Sequence, residues 1–162
     1  MLIFEIGVGS VQRPGDWATF LWGDYDGQNL GLRQNKTGKE LPCLPCTPEL
    51  KAALDREKRR IGGSPHPSRP ILIARGGSAL TISGITQLML KERRRLGLEA
   101  YDQHALRYRG VMELAWAGCD DEEIMSYSGH NTREMVIKYA GLARQIMRAA
   151  TAAEKRRLWA RL

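Results

Sequence analysis

From Leu80 to the C-terminus, helical apolar spacing is interrupted only by short turn signals. Leu80, Ile82, Ile85, Leu88 and Met89 recur at helical intervals and predict a helix to about Leu96, stopped at Gly97. "YDQHALRYRGVMELAWAG" (101–118) predicts a second, with Leu106, Val111, Leu114 and Ala115 on one side and Gly118 as its stop. "CDDEEIMSYSG" (119–129) reads as a short acid-capped helix. "NTREMVIKYAGLARQIM" follows, started by Asn131 or Thr132, and "AATAAEKRRLWARL" reads as a separate basic tail helix. Half the chain is thereby committed to helices.

The first half supplies what sheet there is. "RPGDWATFLW" (13–22) reads as a helix start, with Pro14 in the first turn and Asp16 on the N-terminal dipole. "NLGLRQNKTGKELPCLP" predicts two strands joined near Gly38. Thr47-Pro48 opens another helix as cap and first residue. "IGGSPHPSRP" (61–70) is a loop by composition, and "ILIA" (71–74) reads as a third short strand. The expected class is mainly α with a small antiparallel β-sheet, an α+β fold. With 162 residues and no repeat, one domain spanning 1–162 is expected.

The net charge of +7 and sequence pI near 9.6 favour a polyanionic partner, nucleic acid first. No run approaches the 18 or so apolar residues of a membrane span, and "MLIFEIGVG" has neither a basic n-region nor a cleavage site. No membrane partner is expected. Three cysteines, an odd number, argue against a disulfide framework and for a reducing cytosol. "CLPC" (43–46) lacks the second ligand pair of a zinc site and does not open a helix as a redox pair would. The expectation is small buried hydrophobes in a strand.

Metal-free cleavage of a phosphodiester would need fixed guanidinium groups on the non-bridging oxygens, a nucleophile, an acid for the leaving oxygen, and a proton acceptor. The chain offers Arg13, Lys36, His104, Arg107, His130 and Tyr139. His104 and Arg107, three apart in "HALRYR", share a helix face. Each also has a plain structural reading. Arg13 suits a surface charge at a helix start, and Lys36 a solvated turn lysine, with Lys39 a competitor. His104 suits a core histidine, Arg107 a partner for Asp102 or Glu113, and His130 a cap. Tyr139 suits core packing beside Met135 and Val136, with Tyr108 and Tyr127 as rival phenols.

"HALRYR" followed by "AGCDDEEIMSYSGHNTREMVIKYAG" (117–141) resembles the catalytic end of the tyrosine recombinase (phage integrase) family. That family has an H-x-L-R box, a short helix ending in Gly-His, and a tyrosine nine residues after that histidine. "QRPGDWATFLWGDYD" (12–26) looks like its first arginine motif, and "RQNKTGKELPCLPCTPELKAAL" (33–54) like its lysine hairpin and following helix. The match runs from about residue 9 to residue 141, and the six positions in order are a specific signal.

The resemblance implies a tyrosine recombinase catalytic-domain fold and a set of roles. Tyr139 attacks the phosphate and forms a 3′-phosphotyrosyl bond. Arg13 and Arg107 clamp the non-bridging oxygens, and Lys36, matching the family's Lys-Thr position, protonates the leaving 5′ oxygen. His104 accepts the tyrosine proton, and His130 hydrogen-bonds the phosphate. No metal or other cofactor is implied. Double-stranded DNA is the implied partner, with a homo-tetramer on DNA assembled through the C-terminal tail and no small-molecule substrate. A cytoplasmic, nucleoid-associated protein of bacterial or phage origin is expected.

Three departures stand out. In "GSVQR" (9–13), Ser10-Val11 replaces the family's usual Thr-Gly; a special backbone angle there would strain Val11. The H-x-L-R box continues Tyr108-Arg109 rather than His-Thr. The N-terminal DNA-clamping domain is expected to be absent, with residues 1–8 the remnant of a first helix and 145–162 a basic tail helix. Alternative readings are a catalytically silent DNA-binding remnant, a topoisomerase-like domain, and a helical protein–protein module.

Overall fold

The structure, a computed structural model, describes residues 2–160. In chain order it has α1 (Leu2–Gly9), α2 (Pro14–Trp17), a 3-10 turn (Trp22–Asp24), β1 (Asn29–Arg33), β2 (Glu40–Pro45), α3 (Pro48–Arg60), α4 (Ile82–Leu96), α5 (His104–Trp116), α6 (Asp121–Ser128) and α7 (Arg133–Trp159). These form two compact units, divided inside α5 between Gly110 and Val111. The expected class, mainly α with one small antiparallel sheet, is what is found.

In the first unit, β1 and β2 pair from Asn29↔Pro45 to Arg33↔Glu40, with a bulge between Leu30 and Leu32. Gly31 occupies that bulge because a Cβ there would lie 3.0 Å from the Pro42 carbonyl oxygen. Gly38 closes the turn at φ +67°, the left-handed region that a β-carbon disfavours. Leu30, Leu41 and Leu44 turn inward. They belong with a core that includes Ile6, Trp17, Phe20, Leu50, Leu54, Ile71 and Ile85. Each such side chain contributes about 1.5–3 kcal/mol on leaving water. Thr47 caps α3 by accepting from Leu50 N–H at 3.2 Å, and Thr81 caps α4 by accepting from Gly84 N–H at 3.1 Å. Gly97 ends α4 at φ +68°.

A polar group ties this core to α3. The buried Tyr25 hydroxyl donates to Asp55 Oδ1 at 2.8 Å, and Lys51 Nζ donates to Asp55 Oδ2 at 2.6 Å. Burial first, then the Asp55 hydrogen bond and charge, pushes the Tyr25 phenol well above its ordinary value. The Lys51 hydrogen bond leads the causes that hold Asp55 below the usual carboxylate value.

In the second unit, Asp120 and Glu123 form a capping box on α6, each side chain accepting the other's backbone N–H at 2.9 and 2.7 Å. Gly129 ends α6 at φ +71°. Thr132 starts α7. Ile124, Val136, Ala140 and Ala143 are buried. Arg144 on α7 pairs with Asp121 and donates to the Cys119 carbonyl at 3.1 Å.

Four local expectations need correction. The helix expected over 13–22 is a single turn, Pro14–Trp17. Thr19 Oγ1 and N–H both donate to the Asp16 carbonyl, closing the chain into a turn. The segment 71–74 forms only the isolated bridge Ile73↔Ala79. Pro70 has no N–H, and Ile71 donates instead to the Phe20 carbonyl, so no ladder propagates. The tail is not a separate helix, because α7 runs unbroken for 27 residues through Gly141. One interior glycine costs only about 1 kcal/mol, which a capped helix of that length tolerates. Cys43 is exposed and Cys46 half-buried, so the pair is not two buried hydrophobes. Burial raises the Cys46 thiol to about 11.

Candidate functional site

Arg13 sits at the N-cap of α2, with extended backbone at φ −76° and ψ 151°. Its backbone N–H donates to Asp16 Oδ2 at 3.3 Å. Its half-buried guanidinium donates from Nη1 to Gln34 Oε1 at 3.3 Å. Gln34 lies at the end of β1, where the hairpin turns. Asp16 Oδ1 accepts from Asn35 N–H at 2.8 Å, and Asn35 Nδ2 donates to the Gly15 carbonyl at 2.9 Å. The start of α2 and the hairpin turn are therefore bonded together. Lys36 stands exposed on that turn. Lys39 is half-buried, and its carbonyl is engaged by Gln34 N–H at 2.9 Å.

His104 opens α5, its N–H held by Asp102 Oδ1 at 2.8 Å. Its ring is half-buried. Arg107, one turn along, is 1% exposed and donates from Nη1 to the Val11 carbonyl at 2.6 Å. That carbonyl is two residues before Arg13. Val11 has φ +55°, the left-handed value anticipated at this position, and among the described residues it alone adopts one without being glycine. Gly110 lets α5 approach: a β-carbon there would collide with the Val8 carbonyl and lie 2.8 Å from Val11 Cγ2. Four of the six sequence-derived positions thus lie on two bonded assemblies of the first unit, Arg13 with the Lys36 turn and Arg107 with Val11.

The remaining two lie in the second unit. His130 follows the left-handed Gly129 and is 1% exposed. Its ring lies 5.2 Å from that of Tyr139, tilted by 33°. The Ser128 hydroxyl donates to the Ile124 carbonyl at 2.6 Å. With that hydrogen used, the 2.6 Å contact between Ser128 Oγ and His130 Nδ1 is a bond donated by the ring. Nδ1 therefore carries a hydrogen, and Nε2 is the nitrogen left to meet a ligand.

Gln12, Gln34 and Ser128 escaped the sequence reading. All three are fully buried polar groups beside motif residues. Their types are ordinary for turns, and only adjacency to Arg13, Lys36 and His130 could have flagged them.

The Phage integrase family model matches residues 1–145. The chain belongs to the phage integrase family. Solved structures agree on the fold of this integrase-family chain. XerA recombinase superposes with a TM-score of 0.77 at 16% identity, covering 91% of this chain and 54% of that one. A lambda integrase (75–356) dimer bound to a COC′ core site gives 0.67 at 22%, covering 86% and 50%. The lambda integrase catalytic core gives 0.63 at 23%, covering 78% and 80%. The integrase-family chain thus spans about half the length of the first two. No curated protein matches it in sequence. Among the described residues no helix is long and apolar enough to cross a membrane.

Proposed function

We propose that this chain is the catalytic domain of a DNA-cleaving and rejoining tyrosine recombinase. The observation that carries the reading is Arg107, a buried guanidinium bonded to the strand of backbone that leads into Arg13. Arginine is the residue suited to a phosphate whose charge grows in the transition state, because it stays protonated and forks onto two oxygens.

Tyr139 Oη attacks phosphorus, so a P–Oη bond forms as the P–O5′ bond breaks. The phenolic proton passes to His104, and Lys36 Nζ gives a proton to the departing 5′ oxygen. Arg13 and Arg107 hold the non-bridging oxygens, and His130, as the imidazolium, donates from Nε2 to the phosphate. Attack by a 5′ hydroxyl reverses each step. The covalent link conserves the energy needed for rejoining, so the chemistry asks for no metal or nucleotide. The DNA-bound state of lambda integrase, dimeric on a core site and tetrameric on a Holliday junction, supports double-stranded DNA as partner and assembly on it. Exposed Ile146, Leu158 and Trp159 on α7 support a role for the tail in that assembly.

The test is covalent trapping. The protein is incubated with mixed supercoiled and fragmented DNA, quenched in detergent, and run on a denaturing gel beside Tyr139→Phe. A nuclease-sensitive shifted band that the substitution abolishes is expected. A band surviving in Tyr139→Phe removes Tyr139 as nucleophile. No band from either protein removes the catalytic reading and leaves a DNA-binding remnant.

A further inference from the structure

We infer that Gln34, backed by Gln12, is a positioning residue that sets the Arg13 guanidinium and the Lys36 turn as one assembly; the roles of Arg13 and Lys36 are those proposed above. Gln34 Oε1 accepts from Arg13 Nη1 at 3.3 Å and from Thr37 Oγ1 at 2.8 Å. Gln34 Nε2 donates to Gln12 Oε1 at 2.6 Å. Gln12 Nε2 donates to the Ser10 carbonyl at 2.9 Å. Both amides are fully buried.

The polarity of this chain is fixed from both ends. A guanidinium can only donate, so Gln34 must turn its oxygen toward Arg13. Its NH2 then faces Gln12, which must answer with oxygen. The NH2 of Gln12 is left to face the Ser10 carbonyl, which can only accept. Each amide orientation is consistent with the next, and neither glutamine can be replaced by an acid or a hydrocarbon without breaking a buried hydrogen bond. Trp17 Nε1, donating to the Gln12 carbonyl at 3.0 Å, fixes the backbone beneath the amides.

The result is a shared anchor. Thr37 is the residue after Lys36, and its hydroxyl bonds the same oxygen that receives Arg13. An exposed lysine on a hairpin turn is otherwise poorly placed to meet a phosphate held by an arginine elsewhere in sequence. Misplacement by about 1 Å can cost on the order of 100-fold in rate, so a buried group that fixes both at once has a direct kinetic consequence.

The experiment compares wild type, Gln34→Met, Gln34→Glu, Gln12→Met and the double Gln12→Met/Gln34→Met. Two quantities are read: the rate of covalent adduct formation on supercoiled plasmid, and the plasmid concentration giving half-maximal binding. Gln34→Met is expected to slow adduct formation by roughly 10–100-fold with binding changed less than about twofold. Gln34→Glu keeps both acceptor contacts and loses the bond to Gln12; it holds Arg13 with a charge that competes with phosphate, so it too is slow. The double variant is expected to be no slower than Gln34→Met, since Gln12 acts through Gln34. A Gln34→Met protein as fast as wild type overturns the inference, and so does a rate loss matched by an equal loss of binding. Hydrogen exchange reads the same coupling without activity. In Gln34→Met the Gly38 amide, bonded to the Gln34 carbonyl at 2.8 Å, should exchange at least about tenfold faster while α3 amides are unchanged. Unchanged exchange at Gly38 overturns the inference. If wild type yields no adduct, the catalytic reading fails, and the exchange result decides the anchor alone.

Discussion

The Arg107 guanidinium is held at 2.6 Å by the carbonyl of Val11, a β-branched residue at φ +55°. A left-handed backbone costs an ordinary residue roughly 1–2 kcal/mol, and branching at Cβ adds to it. Val11 is also 2% exposed, so its side chain repays part of that cost by packing. Truncating it separates the two terms. Val11→Ala loses packing and keeps the strain; Val11→Gly loses packing and the strain together. Gly usually destabilises more than Ala. Here Val11→Gly is expected to be the more stable variant by about 1 kcal/mol in urea unfolding. The ordinary order, Ala above Gly, would show that the angle carries no strain.

Gly110 should tolerate no side chain. Its missing β-carbon is what lets α5 lie against the Val8 carbonyl and Val11. Gly110→Ala is expected to lose about 1–3 kcal/mol through overpacking, although alanine favours a helix. An increase in thermal midpoint would contradict the close approach.

Ser128 should control which nitrogen of His130 faces outward. Ser128→Ala removes the acceptor that fixes the ring hydrogen on Nδ1. Adduct formation is expected to fall on the order of tenfold or more, as when a catalytic imidazole loses the acceptor that orients it and supports its charge. Ser128→Thr keeps the hydroxyl and should restore most of the rate. Equal rates in wild type and Ser128→Ala would show the Ser128 bond to be irrelevant.

The Tyr25–Asp55–Lys51 group gives stability a pH dependence on both sides. Asp55 is depressed in the folded protein. Its contribution is therefore present above the unfolded carboxylate value, near 4, and lost as pH falls through the lower folded value. Tyr25 is raised. Its contribution is full below the unfolded phenol value, near 10, and lost as pH rises toward the folded value. Asp55→Asn should flatten the acid limb, and Tyr25→Phe the alkaline one, in denaturant midpoints taken across pH. A limb of unchanged slope in its variant would assign the dependence elsewhere.

The two cysteines of "CLPC" should react unequally. Cys43 is exposed, whereas burial raises the Cys46 thiol to about 11. Thiolate is the reactive form, so iodoacetamide at pH 8 should label Cys43 well before Cys46, as read by peptide mass. Equal labelling would mean that Cys46 is not shielded.

What the sequence made legible was local. Thr47 caps a helix within three residues, the acidic run at Asp120 starts another, and Gly38 and Gly97 each need a backbone angle that a neighbour cannot supply, whereas the Thr81 cap escaped the sequence reading. Val11 could be flagged because a β-branched residue stood where a glycine was expected. The Gln12–Gln34 bond spans 22 positions and has no periodicity to betray it. The segment at Ile71 has the composition of a strand, but Ile71 donates to the distant Phe20 carbonyl and Ala74 to the nearby Ser78 carbonyl, a matter of tertiary placement. The continuity of α7 was hidden because Gly141 and the alanines after Arg148 resemble a boundary, and nothing in a single sequence states how much interior glycine a long helix will tolerate.

That continuity has a mechanical side. Tyr139 lies near the packed base of α7, and Trp159 ends it twenty residues later, about 30 Å along the axis at 1.5 Å per residue. From Arg148 to Ala160 every residue is exposed. A rod of unbroken hydrogen bonds resists twisting, so a grip on its far end would reach the phenol as torque. The exposed half of α7 would then be a lever arm, with the tyrosine close to its fulcrum.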